Sequence, residues 1–151
     1  MDKIDRQIIA ALQRDGRLKL AELSDEIGLS PTPLARRITR LESDGIITGY
    51  SARIDQARLG LPLNIFIFVE LEKQTKETIA AFERALRRHD EVMECYLMTG
   101  TRDVLLRVVA ADLPSFDRFL EDGLMQTPHI RSMRSSFALR TMIKRDVLPQ
   151  S

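Results

Sequence analysis

The sequence predicts an α+β chain of two parts: an N-terminal winged helix-turn-helix, and a C-terminal ferredoxin-like βαββαβ domain with an antiparallel sheet. Three observations carry this. Apolar residues recur at three- and four-residue spacing through the first forty or so positions, a polar link with Gly60 and Pro62 follows, and strand-like and helix-like segments alternate beyond it. The expected parts are residues 1–54, a linker at 55–63, and residues 64–151.

In the first part, Ile4, Ile8 and Leu12 form the apolar face of a helix that Gly16 is expected to stop. A second helix over Lys19 to Ile27 carries Leu20, Leu23 and Ile27, and Gly28-Leu29 turns the chain into a third. There Ser30 is placed to accept a backbone N–H as N-cap, and Pro31 suits the first helical position, where no donor is missed. Leu34, Ile38 and Leu41 face the core. Arg36, Arg37 and Arg40 fall off that stripe, with no acid among them. The β-branched, Gly-punctuated run from Ile46 to Ile54 reads as a short hairpin or wing.

The chemistry of the third helix points to nucleic acid. Its N-terminus with Ser30 and Thr32 suits a phosphate, and guanidinium groups form bidentate contacts to guanine edges in a major groove. The alternative is a basic helix face that is merely solvated. Lys and Arg number 8 against 8 acids in residues 1–50, by count along the sequence, so the part is locally basic and not globally so. Phosphate neutralisation supplies most non-specific affinity, and a neutral domain therefore needs a second copy to multiply its contacts.

In the second part, Leu63 to Leu71 is nearly continuous apolar, as for a strand covered on both faces. Ile79, Phe82 and Leu86 mark a helix, and Val92–Met98 and Val104–Val109 mark strands around the turn Thr99-Gly100-Thr101-Arg102-Asp103. Asp112 opens a helix with Leu113, Phe116, Phe119, Leu120 and Leu124, stopped by Pro128, and a long strand is expected from Ile130 to Ile143. Both helices go to one face of such a sheet. Phe66 and Phe68 make the other face apolar as well, which a second copy of the chain would cover. Cys95 and the methionines at 93, 98, 125, 133 and 142 read as core filler.

The residues Asp2-x-x-Asp5, Asp15-Gly16-Arg17, Leu29-Ser30-Pro31-Thr32-Pro33, Arg36-Arg37, Leu41-Glu42, Asp44-Gly45-Ile46-Ile47 and Gly49-Tyr50, with the βαββαβ order behind them, carry a resemblance over the full length. The chain resembles the Lrp/AsnC, or feast/famine, family of bacterial and archaeal transcription regulators. The resemblance implies a DNA-binding domain joined to a dimerising, effector-binding domain, with dimers that associate into tetramers or octamers. It also implies an effector site at the dimer interface around the turn Gly100, Thr101, Arg102 and Asp103, with Ser136, Phe137 and Ala138 of the last strand lining the pocket. Physically, Gly100 lets backbone N–H groups approach a carboxylate and Asp103 can pair with an α-ammonium, although Gly and Asp also suit an ordinary hairpin. Val104 stands where many relatives have Tyr, Arg102 places a cation beside Asp103, and Lys19 replaces a capping Ser or Thr.

Other function classes fit less well. His89 and His129 are far apart and Cys95 is the one cysteine, so no metal-ligand spacing is visible and no cofactor is expected beyond a small effector. No G-x-S-x-G or P-loop pattern occurs. Sirohaem decarboxylases resemble the same two-domain family, but Glu94-Cys95-Tyr96-Leu97 and Val104-Leu105-Leu106-Arg107 lack their histidines. A bare ACT-like ligand-binding module leaves the helix-turn-helix unexplained, and an effector-independent DNA-binding protein stays open. The apolar runs are too short to span a membrane, and Met1-Asp2-Lys3-Ile4-Asp5 starts an amphipathic helix rather than a signal peptide. The expected location is the cytoplasm, on the nucleoid when DNA-bound.

Overall fold

The computed structural model describes residues 1–100 and 103–149. Its contacts form two units: Met1–Arg53 with the tail from Met142 onward, and Ile54–Thr141. By contacts, then, the segment from Met142 goes with the first unit rather than with the sheet.

In the first unit, α1 (Lys3–Arg14), α2 (Leu20–Ile27) and α3 (Pro31–Ser43) bury Ile8, Ala11, Leu23, Leu34 and Leu41 in one cluster. Asp2 and Asp5 open α1 as a reciprocal box: Asp5 N–H donates to the Asp2 carboxylate at 2.9 Å, and Asp2 N–H to Asp5 at 3.0 Å. Gly16 has a different task from the one expected. Its φ is not positive; instead the Tyr50 ring lies where a side chain would be, with Cδ1 3.3 Å from an added Cβ. At α2, Lys19 offers no acceptor, and only the other half of the box forms, Lys19 N–H to Glu22 at 3.0 Å. The Ser30 hydroxyl makes no capping bond, contrary to expectation, although Ser30 holds the extended N-cap conformation. Pro31 and Pro33 remove two of the first three amides, which leaves Thr32 with the N–H at that end of α3.

Among the described residues the expected wing forms no strand ladder. Ile46 N–H and Ile47 N–H both donate to the Leu41 carbonyl, at 2.9 and 3.0 Å, closing the end of α3 instead of pairing across a hairpin. Tyr50 then anchors the segment through its hydroxyl, 3.0 Å from the Glu42 carboxylate. Burial, followed by the Glu42 interaction, pushes the Tyr50 phenol up from its ordinary value.

The second unit is the expected βαββαβ arrangement. Its strands β1 (Leu63–Leu71), β2 (Val92–Leu97), β3 (Val104–Ala110) and β4 (Ile130–Phe137) lie in the order β2-β3-β1-β4, with every pairing antiparallel. Ile65, Ile67, Val69 and Leu71 point to one face, where α4 (Lys76–Leu86) and α5 (Leu113–Arg118) supply Phe82, Leu86 and Phe116. β4 stops at Phe137, short of the expected Ile143, because its neighbour ends: Phe137 pairs with Ile65, and β1 begins at Leu63. The helix from Asp112 also changes form, continuing as a π turn over Phe119–Gly123 and a 3₁₀ turn over Leu124–Gln126. Gly123 meets the His89 ring there, which leaves no room for a side chain.

Four of the five methionines expected in the core are exposed: Met93, Met98, Met125 and Met142. Met133 does pack against the core. Cys95 is exposed on the edge strand β2 as well, since the alternation of that strand places it at the sheet margin beside α4.

Beyond Thr141 the chain returns to the first unit. Leu148 N–H donates to Gln13 of α1 at 2.7 Å, and Arg53 lies 3.7 Å from Asp146.

Candidate nucleic-acid interface and effector pocket

The solvent face of α3 follows from its helical period. With Leu34 and Leu41 turned inward, Thr32, Arg36, Thr39 and Ser43 align at four- and three-residue spacing on the outside, with Ala35 between them and Leu20 of α2 beside them. The stripe is shallow and open, as a surface for a groove-filling helix must be. Arg36 is exposed and has no ion-pair partner among the described residues. Thr39 and Ser43 were not among the residues that sequence reasoning singled out; their spacing from Arg36 was the available signal.

The other two arginines are engaged. Arg37 donates to Asp2 at 2.6 Å and to Asp5 at 2.7 Å, and Arg40 donates to the second oxygen of Asp5 at 2.6 Å. The Asp5 side chain is 1% exposed, whereas Arg37 keeps 27% and Arg40 53%. Of the three arginines, which have no acid among them in sequence, Arg36 is the one without an ion-pair partner among the described residues, because acids of α1 reach Arg37 and Arg40 from more than thirty residues away. The Asp5 N–H, then the Arg37 guanidinium, holds the Asp2 carboxyl down at about 2. Burial pushes Asp5 up, but the Asp2 N–H, Arg37 and Arg40 outweigh it and keep the carboxyl below its ordinary value.

In the second unit, the turn after β2 has Gly100 at φ 110°, where a side chain would be strained. Thr101 and Arg102 lie outside the described residues. Asp103 is 4% exposed and is not an open carboxylate waiting for an ammonium group: it accepts from Leu71 N–H at 2.7 Å and from the Gln74 side chain. The cause is local. The ladder between β1 and β3 ends at Val69 and Val104, and Leu71, beyond it, needs an acceptor that only a side chain can give.

The residues of the last strand diverge. Ser136 pairs with Phe66 and shares its open face, whereas Phe137 turns to the helix side and sets its ring edge-on to Phe116 at 5.3 Å. Ala138 N–H closes on the Asn64 carbonyl at 2.9 Å. Along β1 this end is separated from the turn, whose Asp103 N–H bonds Val69, by three residues and two strand spacings, roughly 14 Å. One chain does not bring the two halves of the expected pocket together.

The open sheet face has an apolar centre of Phe66, Phe68 and Leu105 within a polar frame. In that frame Arg107 pairs with Glu94 at 2.8 Å and with Asn64 at 3.1 Å, Tyr96 donates to Glu94 at 2.9 Å, and Ser132 donates to Glu70 at 3.1 Å. On the other side of β2, Cys95 is exposed as a residue but packs part of its surface beside α4, and that partial desolvation, then the Glu83 charge, pushes its thiol up, opposite to what a nucleophile needs. Among the described residues no cluster of His, Cys, Asp and Glu could hold a metal, and no helix is long and apolar enough to cross a membrane.

Comparison with known proteins agrees with both units. The family model of a winged helix-turn-helix DNA-binding domain matches residues 1–48, and that of the Lrp/AsnC ligand binding domain matches residues 64–148. The Bkd operon transcriptional regulator of Pseudomonas aeruginosa is 42% identical over 149 residues, 99% of this chain and 97% of the relative. The leucine-responsive regulatory protein of Escherichia coli is 35% identical over 135 residues, 89% of this chain and 82% of the relative. A crystal structure of a transcriptional regulator from Neisseria meningitidis in complex with L-Met superposes with a TM-score of 0.93 at 34% identity, covering 99% of this chain and 96% of that one. These relatives are regulators rather than enzymes. With a helix-turn-helix ahead of an effector-type βαββαβ domain, and likeness along nearly its whole length, the chain belongs to the Lrp/AsnC family of transcription regulators.

Proposed function

We propose that this regulator reads double-stranded DNA through the outer stripe of α3, works as a homodimer or a ring of dimers, and responds to a small amino-acid-like effector held between copies. The observation that carries the DNA reading is Arg36, exposed and unpaired among the described residues, on one stripe with Thr32 and Thr39. Ser30 and the Thr32 N–H lie at the helix start, suited to a phosphate, and Arg40 borders the stripe. Arg37 serves chiefly to tie α3 to α1. Binding at the nucleoid would place the protein in the cytoplasm.

The open face around Phe66, Phe68 and Leu105 supports a dimer, since an apolar centre in a polar frame is the anatomy of a specific interface. A two-fold partner would lay its Ser136 end against the turn of the first copy, which is how one small ligand could meet both Gly100, Thr101, Arg102 and Asp103 and the Ser136, Phe137 and Ala138 end. With Asp103 already committed to Leu71 and Gln74, the ligand's ammonium would be read by other groups at that seam. The Neisseria relative holds L-Met, which supports an amino acid here.

Arg36→Ala tests the DNA reading on DNA from upstream of the protein's own gene. A base-reading contact loses about 1–3 kcal/mol of specific binding, and a phosphate contact lowers the salt slope by about 0.9. Unchanged affinity and slope would remove Arg36 from the interface. Calorimetry against the common amino acids tests the effector; if none binds, the protein is an effector-independent DNA-binding regulator.

A further inference from the structure

We propose that Asp2 and Asp5 act as an internal phosphate mimic that withholds Arg37 and Arg40 from non-specific DNA, so that Asp2 is a specificity-determining residue although it lies outside α3. This rests on the DNA reading above.

The geometry is that of a competition. Three charge-assisted bonds of 2.6 to 2.7 Å join two carboxylates to two guanidiniums, and the four formal charges cancel. Carboxylate oxygens occupy the donor directions that phosphate oxygens would otherwise take. The two acids differ in what they hold. Asp5 is buried and fixed by α1, so its charge is permanently matched within the protein. Asp2 is half exposed, and its second oxygen closes the bond to Arg37 at the surface. Neutralising Asp2 alone turns a balanced cluster into one with a net positive charge beside the recognition helix, and leaves Asp5 in place to maintain the packing.

The consequence concerns discrimination. A phosphate contact strengthens binding to every sequence alike, whereas Arg36 on the outer stripe can read bases. Holding Arg37 and Arg40 against α1 lowers the first kind of affinity without touching the second, and so widens the gap between operator and bulk DNA.

The test compares the full-length protein with Asp2→Asn on a mixed-sequence duplex of about thirty base pairs, titrated at several salt concentrations. Asn is an equally good N-cap, so α1 keeps its start. The expected result is a salt slope steeper by about 0.9 and roughly tenfold tighter non-specific binding at low salt. Asp25→Asn, which removes an exposed acid of α2 that takes no part in these ion pairs, should leave the slope unchanged. If Asp2→Asn leaves the slope unchanged, or Asp25→Asn steepens it equally, Asp2 has no such role. The two readings fail differently: if the unmodified protein binds the duplex with no salt dependence, the DNA reading itself fails, whereas a salt-dependent, Arg36-sensitive protein indifferent to Asp2→Asn overturns this inference alone.

Discussion

Asp103→Ala should damage the framework of the second unit before it affects any ligand. The carboxylate accepts the Leu71 N–H at 2.7 Å and a Gln74 amide hydrogen, at a position 4% exposed. Bonds to a charged acceptor contribute about 1.5–3 kcal/mol, and a buried N–H left without a partner costs about 1–3 kcal/mol. These terms overlap, so the expected loss is about 3 kcal/mol, a large part of the 5–15 kcal/mol that typically holds a domain. Asp103→Asn keeps a carbonyl oxygen for Leu71 and should lose only about 1 kcal/mol. Hydrogen exchange at the Leu71 amide reads the effect directly: 3 kcal/mol corresponds to a fall in protection on the order of a hundredfold. Urea unfolding of the second unit should show the same order of variants. If Asp103→Ala leaves Leu71 protected and shifts stability by less than about 0.5 kcal/mol, the buried acceptor is not holding that end of β1, and Asp103 returns as a candidate ligand contact.

Acid should loosen the link between α1 and α3. Asp2 and Asp5 both have folded values below the ordinary 3.8, so their contribution is complete above that value and is lost in more acid solution, that of Asp2 as the pH falls through about 2; an acid titration followed by NMR of the Arg37 guanidinium should show release, and Asp2→Asn should weaken the effect. Gly123→Ala should cost about 1–3 kcal/mol, because the new methyl would stand 2.8 Å from the His89 ring; thermal unfolding near that of the parent would mean the ring moves aside freely. Ending the chain at Thr141 should destabilise the first unit, measurable as faster exchange of α1 amides, while β1 to β4 keep their protection.

Much of the fold was legible because it is local. Leu34, Ile38 and Leu41 define α3, and the alternation along β1 separates Ile65, Ile67 and Val69 from Phe66 and Phe68. What stayed hidden depends on long-range partners. Nothing near Arg37 in sequence announces Asp2 and Asp5, 35 and 32 residues earlier, although Asp2-x-x-Asp5 was visible as a motif. The length of β4 was set by where β1 begins, and the burial of Asp103 by an amide stranded past the end of a ladder. Gly16 looked like a helix stop, yet what selects it is an aromatic ring from Tyr50.

The tail that joins Gln13 to Leu148 has a consequence for the order of synthesis. The unit that carries the helix-turn-helix includes both Gln13 and Leu148, with the whole effector domain translated between them. Domains usually fold as units while the chain is still growing, N-terminal ones first. Here the helix-turn-helix can form early, but its α1 surface receives its last covering segment only after β4 has been made. A nascent chain stalled before residue 142 would therefore carry an effector domain with all its strands and a DNA reader still missing one of its pieces.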